Sequence, residues 1–170
     1  MNTPALIRQM ERFPAVLAAL LAGVDADRAR RRGPRGQWAV VEILAHLADE
    51  ETADFRARLI VLLDDPERDF EPIDPEGWAQ DRSYLERDHA AELDRFAAAR
   101  AGSISWLRSL ECPDFSRAKH HPTMGPLRAG DVLAAWAAHD LLHLRQITKR
   151  LYELTGADAE PYAAFYAGDW

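Results

Sequence analysis

The stretch GDVLAAWAAHDLLHLRQITKRLY, Gly130 to Tyr152, has no proline and no internal glycine. It therefore reads as one long helix. Within it lies H-D-L-L-H. His139 and His143 are four residues apart, so a helix stacks them on one face with Cβ atoms roughly 5–6 Å apart. Two imidazoles so placed can share one metal ion. A plainer reading competes: both histidines are hydrogen-bonded residues of a mostly apolar helix. Only further ligands from elsewhere in the chain decide between the two.

Three other stretches carry the same helical period. Thr3-Pro4 forms a helix start, with Thr3 as cap and Pro4 at the first position. Leu6, Met10, Phe13, Leu17 and Leu20 come next at helical spacing, Pro14 is expected to kink or split the helix, and Gly23 ends it. A second helix is expected from about Trp38 to Leu63, its apolar side made by Val40, Leu44, Leu47, Phe55, Leu59 and Leu62. His46 falls on this side, one turn from Glu42 and from Glu50. A third is expected from about Gln80 to Leu110, with Leu85, Leu93, Phe96, Ile104 and Leu107 as its stripe and His89 and Arg100 on or near it. No convincing period-2 strand is present. Four amphipathic helices define an all-α bundle, and 170 residues fit one domain, 1–170.

Between the second and third helices runs DDPERDFEPIDPEG, with three prolines and seven carboxylates. That composition excludes a helix. So long a connection is expected to cross over the bundle, letting two successive helices lie parallel. The aromatic C-terminal tail (Tyr162, Phe165, Tyr166 and Trp170) is expected to pack on the bundle or on a partner subunit.

Cys112 is the sole cysteine, so no internal disulfide forms, and a transition-metal site must come from histidine and carboxylate. The N-terminus lacks the basic start and apolar block of a signal peptide, and no apolar run is long enough to span a bilayer. A cytoplasmic protein without a membrane role is the expectation. The net charge of -7 argues against a general nucleic-acid binder. The basic stretch with Arg28, Arg30, Arg31, Arg32 and Arg35 is a phosphate patch on one reading and a solvated loop on the favoured one. No Walker loop, G-x-G-x-x-G or G-x-S-x-G occurs.

The third histidine is His46 or His89. His46 lies about eight residues into its helix, and His143 about nine before the end of its own. Those depths match if the two helices run antiparallel. His139, about nine residues after its helix start, matches equally well if they run parallel, and His89 lies at a similar depth. Three imidazoles would leave a coordination position open, the mark of a catalytic site. Such a position takes water or a thiol and lowers its pKa. Glu50 would be a fourth ligand, a general base or an acceptor behind the ligands, with a solvent-facing charge as the alternative. Asp140 points about 100° away from His139 and is a poor ligand. Trp136, one turn before His139, is expected to wall the site or to pack. His120 and His121, in a loop, are assigned no ligand role.

GQWAVVEILAHLADEE resembles the second helix of DinB-like (damage-inducible) proteins, with a Trp near its start and then a His-Leu pair. HHPTMGPLRAGDVLAAWAAHDLLHLRQITKRLY resembles their His-Pro…Gly segment and His-x-x-x-His helix. The likeness extends over nearly the whole chain, including the acidic crossover and Trp78. It implies a four-helix bundle with a long second crossover, often a homodimer, and a metal held by His46, His139 and His143. Nickel and zinc both suit such a site. It also implies a small-molecule substrate and a metal-dependent enzyme of transferase or hydrolase type. Some relatives are transferases or isomerases using a low-molecular-weight thiol such as bacillithiol or mycothiol. The alternative is a non-catalytic, dimeric stress-response protein with a structural metal. A nucleic-acid role through Arg28–Arg35 ranks last. Fold alone settles none of these.

Overall fold

The computed structural model describes residues 1–168 and 170. Helix α1 spans Thr3–Leu21. Its cap is Asn2 rather than Thr3: the Asn2 side chain accepts from Ala5 N at 3.2 Å. Pro14 does not split α1. A proline there removes the N–H that would reach the Met10 carbonyl. Nη1 of the buried Arg100 donates to that carbonyl instead, at 2.9 Å. The arginine segment then forms a short helix α2, Ala26–Ala29, and a 3-10 turn, Pro34–Gly36.

The second long rod is α3, Val40–Glu50, a π-helical turn, Glu51–Arg56, and α4, Ala57–Asp64. Backbone angles stay helical through both junctions. The rod starts at Val40, because Glu42 reaches back to the Ala39 N–H at 2.8 Å. A π turn is a local i→i+5 widening, frequent at functional sites. It slips the register of α4 by about one residue, or roughly 100°.

The acidic crossover holds more helix than its composition suggests. Asp74 caps α5, Pro75–Asp81, by accepting from Gly77 N at 3.0 Å, and Pro75 occupies the first helical position. So the exclusion of helix fails at the end of this segment, and the expected third helix is broken. Ser83, in the left-handed region with φ +49°, turns the chain out of α5. A 3-10 turn covers Tyr84–Glu86, and Asp88 then caps α6, His89–Ser109. Tyr84 is fully buried, and its hydroxyl donates to Asp49 of α3. Arg82 donates to the same carboxylate at 2.6 Å, fastening the crossover to the rod.

After α6 comes a two-stranded hairpin where the sequence suggests only a loop. Strand β1, Ala118–His121, pairs antiparallel with β2, Gly125–Arg128, with Ala118 opposite Arg128. Strands of four residues are too short to show a convincing period of two. The last helix, α7, runs Ala129–Asp158, past Gly156 and well beyond Tyr152. Three of the four tail aromatics do not pack on the bundle of their own chain. Tyr162, Phe165 and Tyr166 are 81%, 79% and 97% exposed. Trp170 leans on the bundle, its ring 5.5 Å from that of Tyr152.

The pairings fix the helix directions. Met10 meets Arg100, and Phe13 meets Phe96 at 6.0 Å, so α1 and α6 are antiparallel. Ala45 O meets Arg95, and Glu51 meets Arg100, so α3 and α6 are parallel. His46 faces His143, and Phe55 faces Trp136, so the second rod and α7 are antiparallel. Ile7 and Met10 share a cluster with Val132 and Leu133, whereas Phe13 and Leu17 share one with Ile147. Thus α1 and α7 are parallel. The result is a four-helix bundle whose long crossover makes its middle pair parallel.

Candidate metal centre

Three imidazoles converge on one point inside this bundle. His143 Nε2 lies 2.9 Å from His139 Nε2 and 3.1 Å from His46 Nε2. All three ligand atoms fall within 4.8 Å of one another. Glu50 Oε2 joins them, 3.1 Å from His139 Nε2 and 3.4 Å from His46 Nε2. The four come from two antiparallel helices, as i, i+4 pairs on each: His46 with Glu50, and His139 with His143. Side chains so spaced share a helix face. His139 is the side exposed to solvent, at 19% against 7% for His46 and 8% for Glu50.

Burial favours the neutral form of His46 and His143. Burial, together with the neighbouring His139, lowers the His46 pKa to about 4 despite the opposing pull of Asp49. Burial, then His139 and His46, lowers His143 to about 3. Neutral imidazole is the form that ligates metals. His143 Nδ1 lies 2.8 Å from Gln146 Oε1, an acceptor. The ring must therefore donate from Nδ1, which leaves the Nε2 lone pair facing inward. His46 Nδ1 is buried without a hydrogen-bond partner among the described residues, and the Trp38 ring lies 5.0 Å from its ring.

The donor set fits a divalent cation. A tetrahedral ion with bonds of roughly 2.0–2.1 Å separates its ligand nitrogens by ~3.3 Å. The observed 2.9 and 3.1 Å come close to that spacing. Inward lone pairs this near repel one another unless a cation or a proton lies between them.

Beneath the group lies a buried ionic layer that sequence patterns alone do not reveal. Arg100 is 2% exposed. Its Nε and Nη2 donate to Glu51 at 2.8 and 2.9 Å, and its Nη1 and Nη2 donate to Asp140 at 2.7 and 2.8 Å. With Met10 O, all five of its N–H groups are used. Burial alone would lower the Arg100 pKa, but the bonds and charge from Asp140 and Glu51 raise it, keeping it cationic. Trp136 completes this layer. It is 1% exposed, and its indole N–H donates to Glu51 at 2.8 Å. It stacks on Phe55, whose ring lies 4.9 Å from that of His139. Trp136 is thus packed in the buried layer, against Phe55 and Glu51. The π turn brings Phe55 round, since in an unbroken α-helix it would sit about 180° from His46.

His89 is elsewhere, with Nε2 3.0 Å from Val24 O. His121 Nδ1 accepts from Thr123 N at 3.3 Å, and neither it nor His120 joins the group. Most of the arginine loop is engaged internally: Arg28 with Asp158, Arg30 with Arg87 O, and Arg32 with Glu42. Gln146 and Phe55 were missed as site residues. Gln146 sits at i+3 from His143, which is a readable signal. Phe55 depends on the π turn, which carries none.

A four-helix bundle with a long crossover and three histidines on facing helices is a recognisable class. The chain belongs to the DinB superfamily, whose family model matches residues 9–147. No curated protein matches it in sequence. Among solved structures it is similar to YfiT from Bacillus subtilis, at TM-score 0.80 and 21% identity, covering 91% of this chain and 88% of that one. That protein is described as "a probable metal-dependent hydrolase with an unusual four-helix bundle topology". No helix among the described residues is long and apolar enough to cross a membrane.

Proposed function

We propose that this chain is a divalent-metal-dependent enzyme of hydrolytic type acting on a small molecule. His46, His139 and His143 hold the metal, zinc or nickel, and Glu50 serves as general base. The carrying observation is that Glu50 Oε2 lies 3.1 Å from His139 Nε2 and 3.4 Å from His46 Nε2, beside the three-histidine group. The YfiT description supports the hydrolytic reading by analogy. When bound, the metal supplies Lewis acidity and lowers the pKa of water or a thiol towards neutrality. Glu50 takes a proton at Oε2 and holds it near the reacting atoms. Gln146 orients the His143 ring, and Phe55 packs against the His139 ring.

Glu50 also favours water over a thiol. A coordinating thiol is deprotonated outright, whereas a weaker acid such as water gains from an adjacent base. A homodimer belongs to the same proposal, supported by the exposed Tyr162, Phe165 and Tyr166. Light scattering should then return twice 19.1 kDa.

The test is metal analysis of the purified protein and of His143→Ala, followed by ester, amide and thiol-transfer assays. We expect one divalent ion per chain, lost in the variant, and hydrolysis rather than thiol transfer. Absence of any divalent metal removes the proposal. Full metal retention with strong thiol transfer and no hydrolysis would replace water by a thiol.

A further inference from the structure

A cleft of about 660 Å³ runs along α7 away from the imidazoles, lined by Gln37, Leu142, Arg145, Gln146, Lys149 and Arg150, with Trp170 at its edge. Its volume suits a small molecule. It touches the metal centre through Gln146, the residue that holds His143. His143, Gln146 and Arg150 follow one another at i, i+3 and i+7, so a single helix stripe runs from the site into the cleft.

The chain is acidic, at -7 overall, yet no described residue lining this cleft is. Arg145 and Lys149 have no carboxylate partner within 4.0 Å among the described residues. Arg150 is different. Its side chain is only 3% exposed. Its Nη2 is fixed by Gln37 at 2.6 Å and Glu153 at 3.0 Å. Its Nη1 lies 2.8 Å from Glu153 Oε2 without a directed hydrogen bond, and its Nε has no partner among the described residues. A buried guanidinium with an unused donor is costly unless something accepts from it. Glu153 already occupies Nη1 and Nη2 of Arg150, so Arg150 has only its Nε to offer and Arg145 and Lys149 carry the unpaired charge of the cleft among the described residues.

We propose that this cleft binds the anionic end, carboxylate or phosphate, of an elongated substrate whose reacting end lies at the imidazoles. Seven helical steps lead from His143 to Arg150, a span of ~10 Å. The substrate class is therefore a small molecule with an anionic group about that far from the bond that reacts. This deepens the hydrolytic reading, and its second arm rests on it.

The first arm uses chelator-treated, metal-free protein, titrated with inorganic phosphate and with glutarate, and with neutral glutaramide as control. Amide shifts in 15N-correlated spectra are the readout. Saturable shifts over residues 142–150 are expected with an anion and not with glutaramide, and about tenfold weaker binding in Arg145→Ala/Lys149→Ala. The stronger of phosphate and glutarate names the anion. This surface variant avoids the buried Arg150, whose guanidinium abuts Gly33. No saturable shifts with either anion, equal shifts with glutaramide, or unchanged affinity in the variant overturns the proposal. Failure of the metal reading appears separately, as absence of bound metal, and leaves this arm intact. The second arm titrates zinc-loaded protein with ω-carboxyalkyl hydroxamates of increasing length. Affinity should peak where the chain spans about 10 Å. A flat length dependence removes the spacing.

Discussion

Glu50 is where one atom changes the chemistry. Glu50→Gln keeps the shape of the side chain but abolishes its ability to take a proton. If Glu50 is the base, the variant should keep its metal and its affinity for the cleft anion while kcat falls about 10²–10⁴-fold. Loss of metal content along with activity would instead make Glu50 a ligand. Parallel metal analysis and steady-state kinetics distinguish these outcomes. The same neighbourhood shows what single residues reveal in a sequence. His139 and His143 were legible because helical periodicity turns a spacing of four into a shared face. The choice between His46 and His89 was not legible from spacing, because both lie at similar depth in their helices; only the resemblance to DinB-like proteins pointed to His46. The structure brings His46 to the pair and leaves His89 on Val24 O. That outcome depends on the antiparallel pairing of the second rod with α7, which no local pattern encodes.

At the level of elements, Arg100 acts where helices disagree with their own sequences. It supplies the donor that Pro14 removes from α1, and it binds Glu51 of the π turn and Asp140 of α7. Removing one partner of a buried ionic group leaves uncompensated charge and costs roughly 3–5 kcal/mol. Arg100→Met should therefore destabilise the protein by about that much in urea unfolding, with loss of metal affinity because Glu51 and Asp140 adjoin Glu50 and His139. Pro14→Ala gives the complementary case. An interior proline ordinarily costs ~3 kcal/mol or more. Because the Met10 carbonyl already has a donor, the alanine variant should gain clearly less than that. A gain of the full amount would mean that the Arg100 bond contributes nothing to α1. Here the sequence was legible in part. The four long amphipathic stretches were visible as stripes. The break at Ser83, the α5 cap at Asp74 and the hairpin were not, because each is a short feature overshadowed by composition. Asp74-Pro75 did carry a readable start signal, masked by the surrounding prolines and carboxylates.

For the whole molecule, the buried imidazoles couple folding, protons and metal. In the unfolded chain a histidine titrates near 6.5. In the folded, metal-free protein His46 is held at about 4 and His143 at about 3. Between those values and 6.5 the unfolded state binds more protons, so stability rises with pH. Acidification of chelator-treated protein from pH 7 should therefore lower Tm progressively below about 6.5, the loss from these two groups ending only near pH 3–4. The variant His46→Ala/His143→Ala should show a flatter profile, and an unchanged slope would place the protons elsewhere. At pH 7 the same burial has prepaid the deprotonation that metal binding requires. Zinc at 100 times its Kd should add about 2.7 kcal/mol, or roughly 5–10 °C in Tm for a chain of this size. Because folded His46 and His143 stay deprotonated down to about pH 4 and pH 3, protons compete for their Nε2 atoms only near those values, and the increment due to them should fall only there. At pH 7 the variant His46→Ala/His143→Ala should lose the zinc increment, and an unchanged increment in the variant would mean that the ion is held by groups other than these imidazoles.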